Sequence, residues 1–480
     1  MSGTIKKYVS RYVIPFCFDY ENDGYSRFLK YFSDDERDYK ELGLPKDCKW
    51  VKRGFWENYK SDETVQPEID IYTYLLEILR DEEGINVDNL GASYVLKSSG
   101  SLFNLQYIKS EKNYEVNFKC SDLGTLLFRN GIGFIWYDIK FSKSLSIEEY
   151  VSFQHDFKEL ARTHSELFRK KTGKDEYVIF CMGKWIANLF DSSELGIRYW
   201  AERKTELDNT KQVISIPDKS LLFQYLFIDT AEKQERMDLA FRVANGYDTK
   251  YNSPSTLENE IYEPFGNTCF YISKTGMAYV VSNNESNATF FEDNFKGKYV
   301  RDYFFIYALL LYQTYSCAHY SRLLTKLPAE VKDIENDKQQ VEQIDNLHSQ
   351  INLFLVKSTY ESVSNIQHQN GAYIYGKRAL RIEEDMRSLT VGLEALSVIE
   401  VERQKAKDDD LTDRKDRALN MGLVIFGFLV VFSVAIDALN LVDWFKEHNM
   451  GWGHWVSLGI IGLLTIFMFI VLVVNTRRKK

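Results

Sequence analysis

No stretch of this 480-residue chain spells out a familiar catalytic or metal-binding pattern. The phosphate-cradling G-x-x-x-x-G-K-[ST] loop, the H-E-x-x-H pair and the G-x-S-x-G elbow are all missing. The nearest glycine-rich piece, Gly131-Ile132-Gly133, lacks a third glycine and reads as a turn leading into a strand. Seven histidines show no ligand spacing; His155 and His164, nine apart in an expected helix, fall about half a turn out of phase and make poor co-ligands. No catalytic residue is assigned, and the expectation is a protein that is not an enzyme.

The six cysteines, Cys17, Cys48, Cys120, Cys181, Cys269 and Cys317, form no CxxC pair and no zinc spacing, as in a reduced cytosolic domain. Net basic charge is lacking too. A formal charge of −9 argues against direct nucleic-acid binding, while leaving room for a local basic pocket. The first residues, Met-Ser-Gly-Thr-Ile-Lys-Lys, lead into a segment too short and too polar for a signal peptide.

What is present begins with tyrosine and phenylalanine. Over residues 1–298 these alternate between period-2 and helical patterns, which predicts a cytosolic α+β sensor domain. Strands are expected at 12–18, 93–97, 103–108, 114–120, 133–141, 177–181, 212–216, 268–273 and 277–282. Hairpins are expected across Lys109 to Asn113 and across Ser273 to Gly276. Helices are expected at 68–81, 146–172 and 232–244.

A helical region and stalk should fill 299–417. It opens with an aromatic helix, 299–326, whose Gln313, His319, Ser321 and Arg322 favour a buried helix over a membrane span. A polar helix with one apolar stripe follows over 329–357, then a bend at Asn370-Gly371. Ile382, Met386, Leu389, Leu393 and Leu396 recur at four and three, a packed seam. The run Lys405 to Asp410 reads as a solvated collar or a divalent-cation site.

Residues 418–442 and 455–474 are nearly free of charge and long enough for a hydrocarbon core of about 30 Å. They predict a C-terminal two-helix transmembrane hairpin, with an outer loop at 443–454 and a basic tail at 475–480. Lysines and arginines flank both outer ends of the hairpin, so both chain termini should face the cytoplasm. Along the first span Phe426, Val430, Ser433, Asp437 and Asn440 share one seam, the candidate pore lining. Two helices cannot enclose a conduit, so a symmetric ring is required.

This plan resembles the CorA family of divalent-cation channels, whose Gly-Met-Asn signature closes the first span; here the place reads Ala438-Leu439-Asn440, and only the asparagine matches. The branch it looks most like is the CorA-like effectors of type III CRISPR systems. The resemblance implies a homopentamer in the bacterial inner membrane, multi-pass in the bilayer. It also implies an antiviral effector opened by a nucleotide messenger, the S-adenosylmethionine–AMP conjugate (SAM-AMP). The alternative is a constitutive magnesium channel, with Mg2+ or another divalent cation as its ion; a tether without conduction is a third class. Messenger binding would need aromatic faces and basic donors, and Trp185, Arg198, Tyr199, Trp200, Arg203 and Lys204 offer both within a short stretch.

Overall fold

The computed structural model describes residues 3–19, 24–34, 39, 42, 44–52, 70–72, 75, 91–161, 167–171, 177–190, 194–206, 213–229, 232–283, 288–326 and 338–447, with single positions at 456, 459, 462 and 466. By internal contacts the chain divides into two units, Met1–Leu327 with Ser349–Gly392, and Pro328–His348 with Leu393–Lys480.

The first unit is built on one large mixed sheet. Its path runs β13-β14-β12-β1-β6-β5-β4-β7-β8. These strands are β1 (Ile5–Cys17), β4 (Phe103–Lys109), β5 (Tyr114–Phe128), β6 (Ile132–Phe141), β7 (Phe168–Lys171), β8 (Tyr177–Ile179), β12 (Leu221–Ile228), β13 (Thr268–Ser273) and β14 (Gly276–Ser282). Off the path, β2 (Lys49–Lys52) pairs with β3 (Gly91–Lys97), β3 with β5, and β9 (Arg198–Tyr199) with β1. A separate two-stranded sheet joins β10 (Glu202–Glu206) to β11 (Val213–Pro217).

Strand β5 serves two neighbours on the side away from β6. Its first half pairs with β4 and its second half with β3. Against β6 the register shifts between Cys120 and Asp122, a bulge that leaves Ser121 as an extra residue. Strand β12 is buried on both faces and pairs in parallel with β14. The helix Lys233–Asn245 and strand β13 lie in the connection between them.

One sheet face is covered by helices α2 (Ile147–Phe157) and α4 (Lys233–Asn245); α1 (Gly24–Ser33) and α3 (Met182–Leu189) add to the same core. Helix α2 starts on a capping box, in which Ser146 accepts from the Glu149 amide and Glu149 accepts from the Ser146 amide. A dense aromatic cluster fills the space beneath, with Tyr12 stacked on Tyr137 at 5.2 Å and Phe153 on Phe157 at 5.0 Å.

The opposite face carries a helical run that begins with α-helical Ala288–Phe290, continues through π-helical Phe291–Phe295, Lys296–Lys298 and π-helical Tyr299–Tyr303, and becomes α5 (Phe304–Leu324). Tyr299 fixes it to the sheet: its ring stacks on Phe223 at 4.5 Å and its hydroxyl donates to Gln224 O at 2.7 Å. Helix α7 (Gln367–Ala379) packs on α5, and a Cβ at Gly376 would collide with Leu310. Helix α6 (Lys338–Ser358) precedes it, and α8 (Ile382–Glu447) follows after Arg381, which adopts a left-handed φ of 60°. In the second unit Ile344, Leu347 and Leu396 are buried.

Several expectations change. The helix expected over 146–172 ends at Phe157, and Phe168–Lys171 pairs with β4 instead. The Asn370-Gly371 bend lies inside α7. Most of the helix expected at 68–81 lies outside the described residues, as does almost all of 455–474. The parallel β12–β14 pair with its α4 crossover makes the fold mixed α/β rather than α+β.

The larger correction concerns the C-terminal membrane hairpin. Among the described residues no helix is long and apolar enough to cross a membrane. Residues 418–442 form the later part of a single 66-residue helix whose earlier turns are dense in charge, and no partner helix for a hairpin appears among the described residues. The transmembrane assignment, the pore and ion-channel reading built on it, and the multi-pass inner-membrane location are therefore withdrawn.

Candidate functional site, a basic cavity on the open sheet face

A cavity of about 690 Å³ in the first unit lies where β1, β3, β5 and β6 meet the helical run before α5. That volume lies within the usual range for small-molecule sites. Seven basic side chains line it against two carboxylates, in a chain that is acidic overall.

Its floor is organised around Arg11. On β1, Arg11 stands opposite Asp138 on β6, and the guanidinium donates to both carboxylate oxygens, at 2.6 and 2.8 Å. A third N–H reaches Val300 O at 3.3 Å. The guanidinium is also sandwiched, 4.1 Å from the Trp136 ring and 4.2 Å from that of Phe304. Such a planar, delocalised cation suits stacking and forked hydrogen bonding at once. Burial lifts the Asp138 carboxyl above its ordinary range, with the Arg11 charge pulling it back.

Around this floor stand the lysines. Lys6 pairs with Asp229 at 3.1 Å and Lys140 with Asp122 at 3.6 Å. Lys7, Lys97, Lys119 and Lys296 make no ion pair with a carboxylate among the described residues. Lys296 is exposed as a residue, yet its ammonium sits 5.8 Å from the Tyr8 ring centroid. Desolvation, followed by the charges of Lys140 and Lys7, holds its pKa below the usual lysine value, and Asp138 opposes them. Clustered like charges of this kind are relieved by an anion. The β5 bulge places Ser121 and Asp122 in the lining, and the Ser121 hydroxyl donates to Asp122 at 2.7 Å.

The residues named from sequence lie elsewhere. Trp185 is in α3, buried in the core, with its indole N–H donating to Leu42 O at 3.3 Å. Arg198 and Trp200 meet the C-terminal end of β1, through pairing with Cys17 and a backbone bond to Pro15. Arg203 lies in β10 and pairs with Asp218 at 3.1 Å. None of them lines the cavity. Phe426, Val430 and Ser433 are exposed on α8; Asp437, Ala438, Leu439 and Asn440 belong to that helix, and their side chains lie outside the described residues.

Sequence reading missed the cavity because its residues come from positions 6 to 304. One signal was available: Trp136, Asp138 and Lys140 recur at every second position of an otherwise apolar strand, so an aromatic, an acid and a base share one face. Among the described residues no group of three or more His, Cys, Asp or Glu is placed to hold a metal ion. In the comparisons with known proteins, no family model, no curated protein and no solved structure matches this chain.

Proposed function

We propose that the chain is a ligand-responsive antiviral effector whose basic cavity senses a nucleotide messenger, with SAM-AMP, the conjugate implied by the resemblance to type III CRISPR effectors, as first choice. The observation that carries this reading is the excess of cations over carboxylates in a cavity of nucleotide size, beside the rings of Tyr8, Trp136, Phe141 and Phe304. Phosphates need cationic or N–H donors, and bases need apolar faces; both kinds of group are here. The working form in this reading is a homo-oligomer, the pentamer of the resembled family, which light scattering of the purified chain tests.

A ligand changes a protein's state only by binding one state better than another. The cavity offers a place for such a difference, because Lys296, Val300 and Phe304 belong to the run that leads into α5, while Arg11, Trp136 and Asp138 belong to the sheet. An anion drawn to Lys296 and to the strand lysines together pulls the run toward the sheet.

Calorimetric titration of the full chain with SAM-AMP, AMP and inorganic phosphate tests the reading. The conjugate should bind more tightly than phosphate, and Lys119→Ala with Lys296→Ala should weaken it by more than tenfold, about 1.4 kcal/mol or more. Absence of binding by the wild-type chain, or binding untouched by the double variant, overturns the assignment.

A further inference from the structure

The floor of the cavity holds two hydrogen-bonding groups that the protein leaves unmatched. Ser93 Oγ on β3 and Trp136 Nε1 on β6 are buried, with residue exposures of 2% and 5%, and neither finds a hydrogen-bond partner among the described residues. Native structures keep few stranded buried donors, because each forfeits its hydration. Both of these line the same cavity.

Strand register puts the two side chains on one sheet face. Gly124 on β5 stands opposite Trp136 on one side and Val95 on the other, and Ser93 follows two residues before Val95. Gly124 has no side chain where the indole lies: a Cβ there would stand 2.5 Å from Trp136 Cε2 and 2.7 Å from Nε1. The indole N–H is thus held over Gly124, beside the strand that carries Ser93. Arg11 occupies one face of the ring, and the buried N–H edge keeps an unmet donor at the cavity floor.

The chemistry of floor and rim differs. At the rim the lysines are mostly exposed and would meet a phosphate without burying it, whereas the floor offers one pure donor and one hydroxyl beside the Asp138 carboxylate. A phosphate on that floor would face a carboxylate; a neutral ring nitrogen or carbonyl would not. We infer that the cavity takes its ligand base-first, with Trp136 Nε1–H and Ser93 Oγ reading the hydrogen-bonding edge of a nucleobase while the phosphate stays among the lysines. This rests on the nucleotide reading of the cavity and adds to it the orientation of the ligand and the residues that recognise the base.

The experiment is calorimetric titration of the full chain with adenosine, AMP and SAM-AMP, using wild type, Trp136→Phe, Ser93→Ala and Lys296→Ala. Trp136→Phe keeps an aromatic ring under Arg11 but removes the N–H together with part of the ring; Ser93→Ala is nearly isosteric and separates the lost hydrogen bond from the lost packing. Loss of one uncharged hydrogen bond should weaken adenosine and AMP alike, by about tenfold. Lys296→Ala should weaken AMP and leave adenosine unchanged, and added salt should mimic it. If Trp136→Phe and Ser93→Ala bind every probe as wild type does while Lys296→Ala weakens AMP, the base subsite is wrong and the nucleotide reading survives. If wild type binds none of the three probes, both fall.

Discussion

Arg11 and Asp138 face each other across adjacent strands, and the guanidinium, held between the Trp136 and Phe304 rings, donates two hydrogen bonds of 2.6 and 2.8 Å to the carboxylate. The pair joins sheet to helix as well, since Arg11 also donates to Val300 O at 3.3 Å.

Arg11→Met should therefore cost about 3–5 kcal/mol, because it leaves the Asp138 carboxylate buried without its cation. Urea unfolding at pH 7 measures it. The loss should shrink in acid: a carboxyl raised by burial favours the fold when protonated, so the variant regains stability as pH falls toward the ordinary aspartate value of 3.8. Arg11→Met combined with Asp138→Leu should lose less than Arg11→Met alone. A variant with a pH-independent loss would show that Asp138 is not the group left stranded.

His319 on α5 gives a second pH signature. Burial, with the charges of Arg198, Arg322 and Lys326, pushes its pKa down to about 4 from 6.5. The folded protein thus binds this proton more weakly than the unfolded chain. Its stabilising effect is complete above 6.5 and is lost as pH falls through about 4, a loss on the order of 3 kcal/mol. In His319→Gln the fall in unfolding free energy between pH 7 and pH 4 should be smaller by that amount, and an unchanged slope would assign the acid sensitivity to other groups.

Ligand affinity should decline on the alkaline side earlier than an exposed lysine would dictate, because the depressed Lys296 pKa surrenders its charge sooner. Titrating AMP against wild type and Lys296→Arg from pH 7 upward measures this. The arginine variant, which stays charged, should hold its affinity further into base.

Gly376→Ala should destabilise by about 1–3 kcal/mol, since its methyl group would press on Leu310 between two packed helices. Leu310→Ala in the same background should recover part of the loss, and thermal melts of the single and double variants read the coupling.

Much of the sheet was legible from alternation. Expected strands at 93–97, 103–108, 133–141, 268–273 and 277–282 lie within or nearly coincide with β3, β4, β6, β13 and β14, and both expected hairpins form. The aromatic helix also appears, with Phe304 to Gln313 buried. Strand β12 was not foreseen. Leu221–Ile228 is apolar on both faces because it is central and covered on each side, so it has no alternation to betray it. The C-terminal reading failed because apolar length by itself was taken to mean a span, whereas among the described residues no helix meets that test. The cavity was hidden for another reason: each lysine looks like an ordinary surface residue, and only the register of four strands gathers them.

The extra residue in β5 sets which parity of the strand looks inward. Before Ser121 the even positions, Phe118 and Cys120, face the aromatic core; after it the odd positions, Leu123 and Leu127, do so, while Asp122 turns to the cavity. Because Ser121 is the extra residue, closing the strand there would set Cys120 and Asp122 in an unbroken ladder against Ile139 and Asp138, with Leu123 still facing the core and Asp122 still facing the cavity. A single-codon deletion at Ser121 should therefore leave the core leucines in place, and the bulge serves the cavity alone, by setting Ser121 and Asp122 side by side in its wall.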